Sequence, residues 1–164
     1  YREAYGMHCS SGILFNHESP RRGETFVTRK ITRGLSKVSV GLQKELILGN
    51  LNAKRDWGHA KDYVEAMWLM LQQDKPDDFV IATGKQYSIK DFVNMTADEL
   101  DMDITWKEEK GYYNNKVVVQ CSQRYIRPLD VNTLMGDATK TKQILKWEPK
   151  HDIKSLIKDM INNA

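Results

Sequence analysis

Short apolar segments alternate with amphipathic helical segments along this chain, and that alternation restricts the fold more than any other feature. Apolar runs at residues 10–15, 46–48 and 79–82 predict buried strands, since each is bounded by turn-forming residues. Segments 26–40 and 60–72 carry apolar residues three and four positions apart, which predicts helices. Strands that alternate with helices indicate an α/β fold in which part of the sheet is parallel.

The clearest helical segment, residues 60–72, is predicted to pack through one apolar stripe, because its charged residues lie largely off that stripe. The stripe consists of Val64, Met67, Trp68 and Leu71. Two further helices are predicted from their caps, since Ser88 and Asp152 each precede a helical segment.

Length and charge narrow the class of protein. With 164 residues the chain is long enough for one domain with a hydrophobic core. Its formal charge of +3 is mild and its charges are interspersed, so no nucleic-acid partner is expected. No membrane partner is expected either, because no apolar run approaches the roughly 18 residues that a span needs. Free thiols at Cys9 and Cys121 in a reducing compartment, the cytoplasm, are the expectation.

A polar segment directly follows the first predicted strand, at residues 16–23. Its adjacent arginines, Arg21 and Arg22, are costly to hold together in a tight loop without an anion nearby. Asn16 offers both a donor and an acceptor to a sugar or phosphate oxygen. The segment predicts a phosphate or carboxylate partner, and an exposed loop with solvated arginines explains the pattern equally well.

A second polar segment, residues 50–59, precedes the helix of segment 60–72. Lys54 and Arg55 are predicted to lie in a loop that feeds the helix amino terminus, a geometry suited to phosphate. Asp56 is predicted either to orient Arg55 or to cap the helix, and Trp57 to pack beneath. In the alternative interpretation Asp56 caps, Trp57 is core and both cations are solvated.

A third polar segment lies near the end of the chain, at residues 124–130. Its Arg-Pro pair fixes an extended backbone at Arg127, and Asp130 follows three residues later. Asp130 could bind a ribose diol and Arg127 a phosphate. A surface turn with a local ion pair is an equally good interpretation of this segment by itself.

Patterns that would indicate bond-breaking chemistry are missing from the sequence. The histidines show no metal-ligand spacing, and neither cysteine has a second cysteine two residues away. No nucleophile elbow, phosphate-binding loop or Gly-x-Gly-x-x-Gly fingerprint occurs. The polar segments therefore predict a binding surface, with no catalytic residue and no metal.

Taken in order, these segments resemble the GDP-mannose 4,6-dehydratase family of the extended short-chain dehydrogenase/reductases. The resemblance is carried by residues 12–24, 26–31, 48–68, 78–84 and 125–128, and it includes the run Asn-His-Glu-Ser-Pro-Arg-Arg-Gly. It covers essentially the whole chain and is densest up to residue 84.

The resemblance implies a Rossmann-type enzyme whose amino-terminal half binds NADP and whose smaller carboxyl-terminal lobe binds GDP-mannose. Family members form GDP-4-keto-6-deoxymannose, the first step towards GDP-fucose and related GDP-deoxysugars. The family's Tyr-x-x-x-Lys pair, with its Thr and Glu, lies upstream of Tyr1. The chain is therefore interpreted as a fragment that comprises the last Rossmann strands and helices with the sugar-nucleotide-binding lobe, without the NADP-binding half.

The resemblance also assigns roles by position. It makes His17 and Arg22 contacts of NADP, and it places Arg22 in a loop that meets a neighbouring subunit, so a homo-oligomer, a dimer or tetramer, is expected. It assigns substrate binding to Asn16, Val27, Lys30, Gly49, Arg55, Arg127 and Asp130. Among these, Arg127 falls on an arginine that grips the diphosphate, and Asp130 stands where the family usually has a glutamate at the guanosine end.

Two alternatives remain open at this stage. One is another extended short-chain enzyme acting on a sugar nucleotide, a reductase or an epimerase. The other is a non-catalytic fragment that binds a sugar nucleotide.

Overall fold

A computed structural model of the chain describes residues 1–126, 129 and 131–164. Its helices are α1 (Arg2–Tyr5), α2 (Val27–Ser39), α3 (Ala60–Leu71), α4 (Ile89–Glu99), α5 (Thr139–Leu145) and α6 (Ile153–Asn162). Its strands are β1 (Ser11–Leu14), β2 (Asn16–Glu18), β3 (Leu46–Leu48), β4 (Lys54–Arg55), β5 (Trp57–His59), β6 (Asp78–Ile81), β7 (Tyr87–Ser88), β8 (Thr105–Lys107), β9 (Lys110–Tyr113) and β10 (Lys116–Cys121). A 3-10 turn follows at Gln123–Tyr125.

Parallel pairing, which the alternation of elements predicts, joins β1 to β6, β2 to β5 and β3 to β10. Antiparallel pairing extends β10 through β9 to β8 and joins β4 to β7. The predicted α/β class with a partly parallel sheet is confirmed.

The main hydrophobic core lies where α2, α4 and α6 pack together above β3 and β10. Ile31 and Leu35 of α2, Phe92 of α4 and Leu156 of α6 are completely buried there. The amphipathic helix predicted for segment 26–40 is confirmed as α2, since its apolar stripe faces this core.

Arg29 ties α2 to the end of α6. Its guanidinium donates to the carbonyl oxygens of Met160 at 3.0 Å and Asn163 at 2.7 Å. These carbonyls belong to the last turn of α6, where the helix leaves acceptors unsatisfied and where a cation is favoured. Arg29 is thus used in packing, although Lys30 beside it was predicted to bind substrate.

The predicted orientation of α3 is wrong. The stripe of Val64, Met67, Trp68 and Leu71 is exposed to solvent. Instead Tyr63, Ala66 and Met70 are buried, against β1 and β6 and against Trp147. Both faces of α3 are apolar, so the periodicity of its sequence could not identify the face that packs.

The first strand is also less buried than predicted. Ser11, Gly12 and Ile13 are exposed, and Ile13 is 57% accessible. Among the described strands β1 pairs with β6 alone. A parallel strand is ordinarily covered on both faces, and among the described residues β1 is paired on one edge and leaves Ile13 exposed.

Caps were predicted correctly for two helices and wrongly for one. Ser88 accepts from the backbone N–H of Asp91 in a capping box on α4, and Asp152 accepts from the N–H of Ser155 on α6. Helix α3 is capped by His59, whose Nδ1 accepts from the N–H of Lys61. None of the helices in the described part of the chain is long and apolar enough to cross a membrane.

Candidate functional site

Residues 16–18, predicted as the start of a polar loop, form strand β2. Its register sets Asn16 opposite Trp57 and His17 opposite Gly58 of β5. Asn16 is half-buried, and its strand begins two residues after the end of β1. Its partner Trp57 follows Arg55 by two residues in the sequence.

His17 is held in a defined orientation. Its Nδ1 lies 2.8 Å from the carbonyl oxygen of Phe15, and a carbonyl can only accept, so Nδ1 carries the proton. The ring stacks on Tyr63 with 4.8 Å between centroids. The Nε2 atom is then the nitrogen left to meet a ligand. Tyr63 is completely buried, and its hydroxyl has no partner among the described residues; burial raises its pKa above the ordinary value.

Arg22 has the anion partner that its sequence predicted, and that partner is a carboxylate. Its Nε lies 3.1 Å from an oxygen of Glu18, and its guanidinium carbon lies 3.6 Å from the centroid of the Phe26 ring. Arg21, beside it, is exposed. The two arginines therefore differ, since one is fixed within the molecule and the other faces solvent.

The first turns of α2 carry Val27 and Lys30, two predicted substrate contacts. The ammonium of Lys30 lies 3.8 Å from the centroid of the Tyr125 ring, a cation–π contact. Tyr125 belongs to the 3-10 turn that follows β10. This contact places Lys30 beside the segment that leads to Arg127.

Gly49, which follows β3, is closed in by the same turn. A Cβ atom at this position would clash with the backbone carbonyl of Tyr125. Glycine is therefore needed for the end of β3 to approach the 3-10 turn, and a ligand contact at this position would use the backbone.

Arg55 lies in strand β4, which corrects the prediction of a loop that feeds a helix. Its Nη1 donates to the carbonyl oxygens of Lys54 at 2.8 Å and Val131 at 2.6 Å. Lys54 forms backbone hydrogen bonds with Asn132 and Leu134. The residues after position 130 thus run alongside β4 and contact Arg55.

Asp56 has a role that neither interpretation of its sequence foresaw. It is completely buried and accepts four hydrogen bonds, from Thr83 N–H and Oγ1–H, Gly84 N–H and Gly136 N–H. It thereby joins the β4–β5 junction to the end of β6. The core position predicted for Trp57 is confirmed, with an edge-on contact to Phe92.

One stretch of chain connects the predicted substrate contacts. Tyr125, at its start, contacts Lys30 and Gly49, and residues 131–134, at its end, contact β4 and Arg55. Arg127 and Asp130 lie between these points in the sequence, and both are outside the described residues. Of the predicted substrate contacts, Lys30 and Gly49 therefore lie against Tyr125, and Arg55 lies against Val131.

A cavity of about 310 Å³ opens beside Lys30 and Tyr125 and is also lined by Arg33, Glu45 and Ile47. A larger cavity of about 630 Å³ lies at the end of β6, and none of the described predicted site residues lines it. We assign the 310 Å³ cavity to the site because Lys30, a predicted contact, lines it. Within the described parts of the chain, no group of three or more His, Cys, Asp or Glu is arranged to hold a metal.

Sequence reasoning missed Glu18, Tyr63 and Tyr125. Of these, only Tyr125 could have been found from the sequence, because it lies two residues before Arg127, a predicted substrate contact. Glu18 and Tyr63 act through side chains that approach from other elements, which sequence spacing does not reveal. Together the described residues of the site offer guanidinium, ammonium, aromatic and backbone groups, which are groups suited to a nucleotide or phosphate.

Comparison with known proteins gives the site its context. The model of a family described as GDP-mannose 4,6 dehydratase matches residues 1–160. The GDP-mannose 4,6-dehydratase of Vibrio cholerae is 52% identical over 98% of this chain and 48% of its own length. GDP-mannose 4,6 dehydratase 2 of Caenorhabditis elegans is 55% identical over 98% of this chain and 44% of its own length. The chain thus spans less than half the length of these curated relatives.

Solved structures resemble the chain in fold. A structure of RMD from Pseudomonas aeruginosa complexed with NADPH has a TM-score of 0.83 at 17% identity, over 99% of this chain and 50% of that one. The dTDP-glucose 4,6-dehydratase of Bacillus anthracis in complex with NAD has a TM-score of 0.78 at 17% identity, over 99% of this chain and 46% of that one. These likenesses confirm the predicted Rossmann-type α/β class.

Proposed function

Because this chain belongs to the GDP-mannose 4,6-dehydratase family, we propose that it supplies the GDP-sugar-binding part of an enzyme that converts GDP-mannose to GDP-4-keto-6-deoxymannose. The observation that carries the proposal is that Tyr125 contacts Lys30 and Gly49, while Val131, a few residues later in the sequence, contacts Arg55. An extended GDP group that follows this stretch would meet cations along its length.

The second part of the proposal concerns the rest of the enzyme. The relatives are about twice as long as this chain, and β1 is paired on one edge among the described strands. We propose that the NADP-binding half and the Tyr-x-x-x-Lys chemistry belong to the part of the protein that precedes these residues. The exposed edge of β1 and the apolar outer face of α3 support this arrangement, because a parallel sheet needs cover on its faces.

The proposed cofactor is a nicotinamide dinucleotide, specifically NADP. The residues present fit such a group, since His17 has Nε2 left to meet a ligand and Arg22 carries a guanidinium suited to phosphate. Bound NADP would supply the hydride acceptor and donor. His17 and Arg22 would orient it, and Tyr63 would hold the His17 ring in place.

Substrate affinity in this proposal comes from cations. A charge-assisted hydrogen bond is worth about 1.5–3 kcal/mol, so Arg55, Lys30 and Arg127 together would dominate the binding of a diphosphate. Val27, Gly49 and Asn16 would shape the same surface, and Asp130 would meet the ribose end.

A homo-oligomer in the cytoplasm completes the proposal. The free thiols of Cys9 and Cys121 favour a reducing compartment. The exposed Arg21 and the turn around it provide a surface suited to a neighbouring subunit.

The binding proposal is tested by isothermal titration of the chain with GDP. Replacement of Arg55 by Ala is expected to weaken GDP at least about tenfold, the loss of one charge-assisted hydrogen bond. Arg2→Ala is the control, because it removes the same charge at the opposite end of the strands, where Arg2 pairs with Asp78. If the Arg55→Ala variant and the unmodified chain bind GDP with equal affinity, Arg55 is not a contact of the GDP group.

The catalytic proposal is tested on the longer protein that contains this chain. Incubated with GDP-mannose, it is expected to form a 4-keto-6-deoxy product without net consumption of the nicotinamide cofactor, since the hydride returns to the substrate. Net oxidation of NADPH with a keto sugar would identify a reductase. An epimerised sugar that keeps its 6-hydroxyl would identify an epimerase, and either outcome would replace the dehydratase assignment.

A further inference from the structure

A buried acid, Glu18, stands at the end of β2 and has no role in the site as described so far. Only 2% of the residue is exposed. One carboxylate oxygen accepts from the hydroxyl of Thr28 at 2.6 Å and lies 3.1 Å from the Nε of Arg22. The acid therefore connects the first turn of α2 to the arginine that the proposed function assigns to the cofactor.

Stability by itself gives little reason for a carboxylate at this position. Burial raises the pKa of Glu18 above its ordinary value, and the opposing effects of Thr28, Arg22 and His17 do not cancel that rise. The Nε of Arg22 is buried and forms no well-aligned hydrogen bond with a described residue, so the ion pair is close but imperfect. Buried ion pairs of this kind commonly leave the stability of the fold unchanged or lower it, because removing the charges from water costs free energy.

The same contacts do restrict the position of Arg22. Its Nε lies 3.1 Å from the Glu18 carboxylate, and its guanidinium carbon lies over the Phe26 ring, 3.6 Å from the centroid. The backbone from Glu18 to Phe26 forms two successive turns. In the first, the N–H of Arg22 donates to the carbonyl of Ser19, and in the second, the N–H of Phe26 donates to the carbonyl of Gly23. This arrangement leaves the two Nη groups as the donors that Glu18 does not engage.

We propose that Glu18 is a positioning residue that holds Arg22 by its Nε, so that the Nη groups are presented to a phosphate of a nicotinamide dinucleotide. The inference rests on the proposed function, because it takes Arg22 as a cofactor contact. It adds a residue that does not itself touch the ligand. Thr28 anchors the carboxylate to α2, and the aromatic face of Phe26 prevents the guanidinium from turning away.

The test is a double-mutant cycle in the full-length protein, with NADP⁺ as the probe and dissociation constants measured by titration calorimetry. Arg22→Gln is expected to weaken NADP⁺ about tenfold, the loss of one charge-assisted hydrogen bond. Glu18→Gln is expected to weaken it about threefold or more in the unmodified background and to have almost no effect in the Arg22→Gln background, since residues that act through one another are not additive.

Thermal unfolding separates positioning from a merely structural role. The native carboxyl has the raised pKa, so between the ordinary and the raised value the native state binds more protons, and the stability contributed by Glu18 falls as pH rises. Glu18→Gln removes this fall. At neutral pH the variant is therefore expected to have a melting temperature no lower than that of the unmodified protein, although it binds NADP⁺ more weakly.

The outcomes are distinct. If Arg22→Gln leaves NADP⁺ affinity unchanged, the cofactor assignment of Arg22 fails, and the positioning role fails with it. If Arg22→Gln weakens binding but Glu18→Gln does not, or if Glu18→Gln has the same effect in both backgrounds, only the positioning role is overturned. Should Glu18→Gln not fold, Glu18→Asp keeps the charge and withdraws it from Arg22, and it is expected to give the same non-additive loss with smaller size.

Discussion

Two regions of this molecule use similar apolar sequences in opposite ways. The closed unit consists of α2, α4 and α6 over β3 and β10, and its central side chains, such as Phe92, are fully buried. The open unit consists of β1, β6 and α3, and it exposes Ile13 at 57% and Trp68 at 61%. The closed unit completes its own core within this chain, whereas the open unit buries one face and leaves another uncovered.

The difference teaches that an apolar stripe identifies a surface that needs cover, without identifying what covers it. In α2 the stripe meets α4 and α6 of the same chain. In α3 the buried face carries Tyr63, Ala66 and Met70 together with Asp62, and a second, apolar face points outwards. A helix that is apolar on both faces is characteristic of an interior element, which agrees with our proposal of a longer protein.

The largest expected effect tests the closed unit. Phe92→Ala should lower the free energy of unfolding by about 3–5 kcal/mol, because it leaves a cavity in a filled core. Ile13→Ala in the open unit is the comparison, and it should cost less than about 1 kcal/mol because Ile13 is largely exposed. Urea denaturation of the chain measures both, and equal costs would abolish the distinction between the two units.

An intermediate effect is expected at Asp56, which joins the β4–β5 junction to the end of β6 in the open unit. Asp56→Asn replaces an acceptor oxygen with an amide donor that faces backbone N–H groups, including those of Gly84 and Gly136. A buried donor left unsatisfied costs about 1–3 kcal/mol. Asp98→Asn, at an exposed position on α4, is the matched control and should change stability by less than about 0.5 kcal/mol. A cost for Asp56→Asn as small as the control's would mean that these hydrogen bonds do not stabilise the contact between the β4–β5 junction and the end of β6.

The smallest expected effect is on the outer face of α3. Trp68→Gln should change the unfolding free energy of the chain by no more than about 0.5 kcal/mol, since the side chain is exposed. In the longer protein the same substitution should lower the melting temperature markedly if that face is covered there. A large cost already in the chain by itself would show that α3 packs on both faces within these residues.

Much of the fold could be predicted from local pattern. The helix of segment 26–40, the caps at Ser88 and Asp152, and the strand at Leu46–Leu48 all follow from rules that act over a few residues, and all are confirmed. Predictions failed where a residue's role depends on a distant element. Asp56 was expected to act on its neighbours, but its hydrogen-bond partners lie in residues 83–84 and 136.

The sequence by itself determined the alternation of strands and helices, the α/β class and the family, because local periodicity and long runs of matching residues suffice for these. It predicted strands β2 and β4 as loops. It also predicted that an arginine pair requires an anion. Only the tertiary structure decided that the anion beside Arg22 is the buried Glu18, that Lys30 and Gly49 meet at Tyr125, and that α3 presents its strongest stripe to the outside. The physical reason is that burial and pairing depend on which surfaces the folded chain brings together. The spacing of residues along the sequence does not give the distance between such surfaces in space.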